Sequence, residues 1–587
     1  IDDGFVDALD KTSLLAIASG IDALRDAGLP LHRYYRTTST GKLLPDRWGL
    51  PPRLAKRTGI IFASAFPGLD RLIEDVAGHV ESQFKGKLSD MLQRVNAGLD
   101  NIEEQGGDAQ VLRGLVGEHL DGLAEDTNPY EFSRKFLFRI LSMGHAQLAQ
   151  IVCAQGPNTQ VNGACASGPQ AMAIAEDWIR LGRCDRVLVV AADDVANKTM
   201  FPWIGAGFLA AGAATIEADV EVAAVPFGAN RNGMLLGSGA SAFVVERKDC
   251  VDERGMSGVV ELLATSMVNS AFHGTRLNAE FIREAFSDIV AQVEGKIGVS
   301  RKDFAARSFF MSHETYTPAR GGSSAAEIEA LRYAFGEQAN KVLIANTKGH
   351  TGHPMGASLE DVVAVKGLQR QTLPAIANLN EIDPDFVDLN FCKGGAVDME
   401  YGFRFSAGFG SQIAMTAYRR LAREEARLMS PERYRQWLQT VAGRDDAALE
   451  IIDRTLRISE SGGLEAWELG VPSLVCAELS PAPATPPPLP VAEMAEPAVQ
   501  VEERDVQGEE GLLQRVQELF ARETGYDLDE LEPEYQLEAD LGIDTVKQAE
   551  IFALLREEFS IPSETTFDLA EVQTLNAVVA FLLNSGG

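Results

Sequence analysis

The sequence lacks the features of a membrane or secreted protein. Its 587 residues contain no apolar run near the ~20 residues that a membrane-spanning helix requires, and the first residues lack a basic secretory signal. The six cysteines are scattered and show no Cys-x-x-Cys spacing, which predicts reduced thiols rather than a metal site or a disulfide framework. We therefore expect a soluble, cytoplasmic protein with no metal centre and no membrane partner.

Basic residues are also scarce. There are 53 Lys and Arg residues against 85 Asp and Glu residues, giving a net charge of −32. Such a surface repels phosphate backbones, so we expect no nucleic-acid partner. The charge is uneven, because residues 501–587 hold 21 acidic side chains and only 5 basic ones. An acidic C-terminal module of this kind suits docking to basic patches on enzymes.

Proline and charge patterns predict the domain boundaries. Six prolines among residues 481–490 indicate an extended tether, and we place a linker at 476–508. Residues 1–417 form the predicted body and 418–475 predicted connecting helices. After the linker, residues 509–587 show helical apolar spacing, which predicts a small helical bundle.

Continuous apolar runs in the body predict an α/β fold. Runs without alternation indicate strands that are covered on both faces, and here they alternate with helical patterns. These runs are Thr58–Ser64, Arg186–Ala192, Ser241–Glu246 and Lys341–Ala345. Residues from about 75 to 125 are polar and helical in character, which predicts a helical insertion.

One cysteine stands apart from the other five. Cys165 lies in Gly163-Ala-Cys-Ala-Ser-Gly168, between a short apolar stretch and a helical pattern. The N–H groups at a helix start stabilise a thiolate, and small neighbours let an acyl carbonyl approach. Local sequence alone leaves two readings open: a nucleophile, or a cysteine packed in a tight turn.

Histidines supply a second signal. Three of the eight in the chain fall in two short segments rich in Gly, Thr and Pro, which are Ser312–Pro318 and Asn346–Ala357. A lone histidine is more often a core residue with satisfied hydrogen bonds than a catalyst. These segments become candidates for a catalytic site because the chain also carries the Cys165 segment.

Together, these motifs resemble the β-ketoacyl-acyl carrier protein synthases of the thiolase superfamily, especially the ketosynthase domains of type I fatty acid and polyketide synthases. The nucleophile segment matches around Cys165. The family's His-Gly-Thr-x-Thr-Pro motif matches His313–Pro318, with Glu314 in place of Gly. Its second motif matches Lys348 and Thr351–Ala357, a register that selects His353 rather than His350.

Two further stretches extend the resemblance over residues 1–417. Val225–Ala240 is similar to a Pro-Phe-Asp…Gly-Glu-Gly-Ala stretch of the family, with Gly228 and Ser238 in place of acidic residues. Ser406–Gly410 is similar to its C-terminal Gly-rich loop. The family's first core strand precedes the matched region, so the chain is expected to begin inside the domain.

The resemblance implies a thiolase-like αβαβα body and a decarboxylative Claisen condensation. Cys165 would take the acyl group, and backbone N–H groups of Cys165 and Phe409 would stabilise the oxyanion. His313 and His353 would stabilise the enolate formed from a malonyl-type thioester.

Three supporting roles follow from the same resemblance. Lys348 would order the histidines, Glu327 would be the buried carboxylate that pairs with this lysine, and Phe409 would gate the acyl pocket. The alternative reading of Glu327 is a solvated helix-start carboxylate, and that of Phe409 is a core aromatic residue.

The C-terminal module resembles a four-helix acyl carrier protein. The family's Leu-Gly-Ile-Asp-Ser motif reads Leu541-Gly-Ile-Asp-Thr545 here, so Thr545 occupies the place of the serine that receives 4′-phosphopantetheine. Two readings stay open: a working carrier with an unusual attachment residue, or an unmodified docking or spacer module.

Two motifs that the sequence lacks indicate which activities other domains must supply. We find neither the Gly-x-Ser-x-Gly turn of an acyltransferase nor a Gly-x-Gly-x-x-Gly dinucleotide loop. Acyltransferase, ketoreductase and dehydratase domains would act in trans or on a longer chain. We expect a homodimeric β-ketoacyl synthase of fatty acid or polyketide biosynthesis that takes acyl and malonyl thioesters from carrier proteins. The alternatives are a non-elongating scaffold with an unloaded carrier, and a coenzyme A-dependent thiolase or acyltransferase.

Overall fold

The structure is a computed structural model. It describes the residues in the ranges 9–38, 42–105, 108–125, 136–137, 141, 143–318, 323–421, 427–459, 509–524, 528, 531–538, 541, 543, 545–559, 561 and 572–585. These residues form two compact units, one holding 9–31 and 50–459 and the other holding 32–49 and the residues after 508.

Helices and strands alternate through the first unit, and helices dominate the second. The helices are α1 (Lys11–Asp26), α2 (Pro52–Ala55), α3 (Leu69–Glu104), α4 (Gln110–Glu125), α5 (Gly144–Val152), α6 (Ser167–Arg180), α7 (Phe201–Ala210), α8 (Val220–Ala223), α9 (Lys248–Glu253), α10 (Ala279–Ile297), α11 (Arg301–Phe304), α12 (Ser324–Phe335), α13 (Lys348–Thr351), α14 (Leu359–Arg370), α15 (Pro431–Ala442), α16 (Glu509–Thr524), α17 (Thr545–Glu558) and α18 (Leu575–Ser585). The strands are β1 (His32–Thr37), β2 (Leu43–Gly49), β3 (Thr58–Ala63), β4 (Asn158–Val161), β5 (Arg186–Asp194), β6 (Ser238–Glu246), β7 (Val260–Asn269), β8 (Ser308–Met311), β9 (Leu343–Ala345), β10 (Thr372–Ala375), β11 (Asn390–Phe391), β12 (Lys393–Ala396), β13 (Tyr401–Gly408), β14 (Gln412–Arg420), β15 (Leu449–Ile452) and β16 (Thr455–Ile458).

Two mixed sheets form the frame of the first unit. One has the strand order β4-β3-β5-β6, in which the first three strands are parallel and β6 is antiparallel. The other has the order β11-β9-β8-β13-β14-β7, with β14 and β7 antiparallel to their neighbours. All six residues of β3 are buried, which explains why its sequence is continuously apolar rather than alternating.

Helices cover both faces of each sheet. α6 and α14 contact strands of both sheets and so form a middle layer. α1 and α5 contact the first sheet, and α10 contacts the second, which completes the predicted αβαβα layering. Because α6 begins two residues after Cys165, the middle layer holds the nucleophile segment between the sheets.

Local signals set the ends of α1. The Asp10 carboxylate accepts a hydrogen bond from the N–H of Ser13 at 2.8 Å, which caps the first turn. Ile17 and Leu24 lie on its buried face. Gly28 follows the helix with a φ of +67°, a conformation that glycine adopts at low cost.

The segment predicted as a helical insertion consists of α3 and α4. These two helices share a small apolar cluster of Leu92, Leu99, Ala109 and Val116. None of the helices within the described ranges is both long and apolar enough to cross a membrane.

The prediction of connecting helices at 418–475 is wrong for most of the described residues in that range. β14 extends to Arg420, and only α15 is helical; β15 and β16 then form an antiparallel hairpin. The turn of this hairpin holds Asp453 and Arg454 at φ values of 48° and 65°. Two successive positive φ values give a turn that matches the twist of a two-residue hairpin, and Asp-Arg is a weak sequence signal for it.

The second unit combines the hairpin β1–β2 with the C-terminal module. α16, α17 and α18 surround an apolar core that includes Phe520, Phe552 and Val578. Three helices are therefore described in this module, and residues 562–571, where a fourth helix of the predicted bundle would fall, lie outside the described residues. β1 and β2 lie inside the predicted 1–417 body in sequence, yet they group with this module.

Candidate active site

Cys165 lies in a tight turn between β4 and α6. Ala164 has a φ of 51°, and the turn is closed by Ser167, whose hydroxyl donates to Ala164 O at 2.6 Å and accepts from Gly163 N at 3.0 Å. The hydroxyl of Ser406 donates to Cys165 O at 2.9 Å. A strained backbone held by several hydrogen bonds presents the half-buried cysteine at the start of a helix.

The end of β13 passes against this turn. A Cβ atom on Gly408 would lie 2.4 Å from Gly163 O and 3.1 Å from Cys165 N, so only glycine permits the approach. The next residue, Phe409, is 44% exposed and stacks on Phe208 with ring centroids 5.6 Å apart. Among the described residues, no backbone oxygen accepts a hydrogen bond from the N–H of Phe409.

His353 contacts Cys165 directly. Its Nε2 lies 3.0 Å from Cys165 Sγ, and its ring is almost fully buried. The backbone N–H of His353 donates to Leu235 O at 2.8 Å, which fixes the segment in place. His350 is exposed instead, with its Nε2 2.7 Å from Ala375 O.

His313 completes the cluster together with Lys348. The Lys348 ammonium donates to His313 O at 3.1 Å and lies 3.4 Å from its Nδ1. Because an ammonium group only donates, Nδ1 must accept and the ring proton sits on Nε2. The rings of His313 and His353 are 5.5 Å apart and nearly perpendicular. The structure thus brings Cys165 and the three predicted partners together.

The predicted pairing of Glu327 with Lys348 is wrong. The carboxylate that forms an ion pair with Lys348 Nζ is Glu360 Oε1, at 2.5 Å. Glu327 is fully buried, but its Oε2 accepts from the hydroxyl of Ser312 at 2.6 Å and from the backbone N–H of His313 at 2.9 Å. Glu327 therefore holds the backbone of His313 rather than the lysine.

The sequence carried only a weak signal for Glu360. It stands in the first turn of α14 beside Asp361, where acidic residues are common on any helix. Only the folded chain shows that both carboxylates are buried and that both face Arg404, at 3.4 Å and 3.3 Å. The positive charges of Lys348 and Arg404 thus cancel the negative charges of Glu360 and Asp361 in a buried cluster beside His313. Burial alone would raise the pKa of Glu360, but Lys348 and Arg404 hold it at about 2.

Burial keeps the reacting pair neutral. Burial raises the pKa of the Cys165 thiol to about 12, and the opposing field of Lys348 does not cancel this. Burial and the charge of Lys348 lower the pKa of His353 to about 3. Near neutral pH the contact therefore joins a thiol and a neutral imidazole, not a thiolate and an imidazolium.

Glu314, which stands where the family motif has glycine, lies beside a buried arginine. Glu314 Oε1 lies 3.6 Å from Arg231 Nε, and Arg231 also pairs with Asp383 at 2.8 Å. Burial and the neighbouring Glu327 raise the pKa of Glu314 to about 7. A carboxyl group that is half ionised near neutral pH thus adjoins His313.

Asp193 was missed by sequence reasoning. It is the last but one residue of β5, is fully buried, and accepts hydrogen bonds from Ser64 Oγ, Ala65 N and Phe66 N. Its second oxygen accepts from Gly356 N at 2.7 Å. Asp193 therefore ties the end of the first sheet to the loop that carries His353.

The attachment residue predicted in the C-terminal module, Thr545, is the first residue of α17. The preceding turn is closed by hydrogen bonds from Leu541 N to Gln536 O and from Ile543 N to Leu537 O. The side chain of Thr545 lies outside the described part of the structure.

Family models match all three functional segments. The β-ketoacyl synthase N-terminal domain matches residues 94–250 and the corresponding C-terminal domain matches 310–380. The phosphopantetheine attachment site model matches residues 514–582. Cys165 lies in the first match, the histidines and Lys348 in the second, and Thr545 in the third.

Curated relatives agree with this assignment. A 3-oxoacyl-[acyl-carrier-protein] synthase 2 of Vibrio harveyi is 29% identical over 288 residues, covering 48% of this chain and 66% of the relative, just under two thirds of its length. The protein of the same name from Staphylococcus aureus is 25% identical, covering 50% of this chain and 71% of the relative.

Two solved structures show the same fold. A β-ketoacyl synthase from Burkholderia phymatum has a TM-score of 0.51 at 20% identity, covering 72% of this chain and 85% of that one. The ishigamide ketosynthase/chain length factor has a TM-score of 0.50 at 21% identity, covering 71% and 84%. This chain belongs to the β-ketoacyl synthase family and joins a ketosynthase to a phosphopantetheine carrier domain.

Proposed function

We propose that the chain condenses an acyl group held on Cys165 with a malonyl-type thioester, releasing carbon dioxide. The observation that supports this most strongly is the contact of His353 Nε2 with Cys165 Sγ at 3.0 Å, with the His313 ring 5.5 Å from that of His353. One nucleophile with two imidazoles suits a reaction that needs acyl transfer first and enolate stabilisation second.

In the first step, the thiol of Cys165 attacks an acyl thioester. His353 Nε2 takes the thiol proton as the new S–C bond forms. It then gives this proton to the thiolate that leaves when the C–S bond of the substrate thioester breaks. The oxyanion of the tetrahedral intermediate accepts hydrogen bonds from the backbone N–H groups of Cys165 and Phe409. The products are acyl-Cys165 and a free thiol.

In the second step, a malonyl-type thioester loses its carboxylate as carbon dioxide. The electrons of the broken C–C bond form an enolate, whose oxygen accepts hydrogen bonds from His313 and His353. His313 is preset as a donor, because Lys348 occupies its Nδ1. Among described residues, none forms a hydrogen bond with His353 Nδ1, so the ring proton can sit on Nδ1 while Nε2 accepts and on Nε2 when Nε2 donates.

The enolate carbon then attacks the carbonyl carbon of acyl-Cys165. The same backbone N–H groups stabilise the oxyanion, the C–S bond breaks, and Cys165 leaves as a thiolate that takes a proton from solvent. The product is a β-ketoacyl thioester. The Lys348–Glu360 pair holds His313 in place, while burial and the charge of Lys348 lower the pKa of His353.

The carrier domain would hold 4′-phosphopantetheine on Thr545. A hydroxyl residue at the first position of α17, after a closed turn, has the chemistry for a phosphodiester link. When attached, the group supplies a thiol that carries substrates as thioesters. Its loading on threonine is slower than on serine because the extra methyl group crowds the hydroxyl.

The remaining partners follow from this reaction. Acyltransferase, ketoreductase and dehydratase activities would be supplied in trans or on a longer chain, in fatty acid or polyketide biosynthesis. We also propose a homodimer in the cytoplasm.

Mass spectrometry of the intact protein tests the proposal. Incubation with an acyl thioester should add one acyl group, which is lost in Cys165→Ala but kept in Cys153→Ala. Coenzyme A with a phosphopantetheinyl transferase should modify Thr545, with Thr524→Ala as the control variant. Absence of acyl loading would favour a non-elongating scaffold, and absence of modification would remove the carrier role.

A further inference from the structure

The hairpin β1–β2 makes contacts that its place in the sequence does not predict. Its strands pair antiparallel from His32 opposite Gly49 to Thr37 opposite Leu43. Its side chains pack with those of the carrier domain, with which it forms one compact unit. Two neighbouring residues of β2 and its turn carry this association, one apolar and one charged.

Leu44 supplies the apolar contact. It is only 4% exposed and belongs to the same apolar cluster as Leu531, Tyr535 and Leu537 of the carrier domain. The preceding residue, Leu43, points to the other face of the strand and is 63% exposed. One face of β2 thus completes the carrier core while the other faces solvent.

Lys42 supplies the charged contact at the rim. Its Nζ lies 2.5 Å from Glu532 Oε1 and 5.9 Å from the ring centroid of Tyr535. Both partners of the ion pair remain almost half exposed. An exposed pair beside a small apolar contact gives an association that salt weakens.

The net charges of the two segments are complementary. Residues 32–49 contain four basic side chains, which are Arg33, Arg36, Lys42 and Arg47, against the single acidic Asp46. Residues 509–587 contain 18 acidic and 4 basic side chains. Opposite potentials favour encounter of the two surfaces and fix their orientation.

We propose that the hairpin β1–β2 is a docking element for the carrier domain of this chain. Leu44 makes its apolar contact, and Lys42 makes its ion pair. The role does not depend on the condensation chemistry, because no residue of the hairpin belongs to the Cys165 cluster. A Cys165→Ala chain therefore docks its carrier as the unaltered chain does.

Hydrogen–deuterium exchange on the full-length chain tests the proposal. The peptides to follow are 43–49 of the hairpin and 531–537 of the carrier. Lys42→Glu should speed exchange in both peptides by up to about fivefold at low salt, since exposed ion pairs contribute at most about a factor of that size. Lys56→Glu, the same change at an exposed lysine just after α2 and outside the hairpin, should leave both peptides unchanged.

Variants of both partners of the ion pair distinguish docking from local destabilisation of one segment. Glu532→Lys must speed exchange in the hairpin, and Lys42→Glu combined with Glu532→Lys must restore both peptides. Leu44→Ala should have a larger effect than Leu43→Ala, and 1 M NaCl should remove the effect of Lys42→Glu. The proposal is overturned if Glu532→Lys alters only the carrier peptide, or if Leu44→Ala and Leu43→Ala behave alike.

Discussion

Lys348 and Glu360 form a fully buried ion pair, with Nζ and Oε1 2.5 Å apart, next to His313, whose ring lies 5.5 Å from that of His353. The same ammonium contacts the backbone oxygen and Nδ1 of His313. The orientation of the His313 imidazole therefore depends on Glu360, which acts through Lys348.

Glu360→Gln should destabilise the protein and impair the histidines. Removing one partner of a buried ion pair leaves the other charge uncompensated, which costs about 3–5 kcal/mol. Thermal unfolding should show this loss, together with a fall in condensation activity. Glu329→Gln, an exposed change on α12, serves as the control. Unchanged stability and activity in Glu360→Gln would contradict the positioning role.

Gly408→Ala should block acyl loading of Cys165. The added methyl group would lie 2.4 Å from Gly163 O, so the nucleophile turn or the end of β13 must move. Gly295→Ala, in α10, meets no atom within 4 Å and should be neutral or stabilising by about 0.5–1 kcal/mol. Intact-mass measurement of acyl loading compares the two variants. Normal loading of Gly408→Ala would refute the tight approach.

Glu314→Gln should change how stability depends on pH. The pKa of Glu314 is about 7 in the folded protein and 4.5 for the ordinary side chain, so the folded state binds the extra proton in between. Stability is then lost as pH rises from about 4.5 to 7, by roughly 3 kcal/mol. Urea unfolding at pH 5 and pH 8 should show a smaller loss in Glu314→Gln than in the unaltered protein. Equal losses would contradict the raised pKa.

Alkylation of Cys165 should rise steadily with pH. Because burial raises the pKa of the thiol to about 12, its thiolate fraction grows about tenfold per pH unit between pH 7 and 10. The rate of iodoacetamide labelling, followed by peptide mass, should show no plateau in that range. A plateau below pH 8 would mean that the free enzyme already holds a thiolate.

The sequence was a good guide wherever its pattern reflects burial on both faces. Thr58–Ala63 is continuously apolar, and it forms a parallel strand that is fully buried. Motif register also separated His353, which contacts Cys165, from His350, which is exposed.

Sequence reasoning failed where contacts between distant segments decide the outcome. Glu327 and Glu360 are both helix-start carboxylates, and only the folded chain shows which one reaches Lys348. The hairpin at 449–458 depends on a turn with two positive φ values that Asp453 and Arg454 barely signal. The grouping of β1–β2 with the carrier arises from Leu44, a single buried residue in a short strand.

Decarboxylation of a malonyl thioester by single variants tests the central claim most directly. Cys165→Ala should still release carbon dioxide, because it removes the acyl acceptor and leaves the enolate-stabilising histidines. His353→Ala and His313→Ala should each lose about 10²-fold or more, as expected when one oxyanion donor is removed, while His350→Ala should match the unaltered protein. Carbon dioxide release by His353→Ala at the rate of His350→Ala would contradict the roles assigned here.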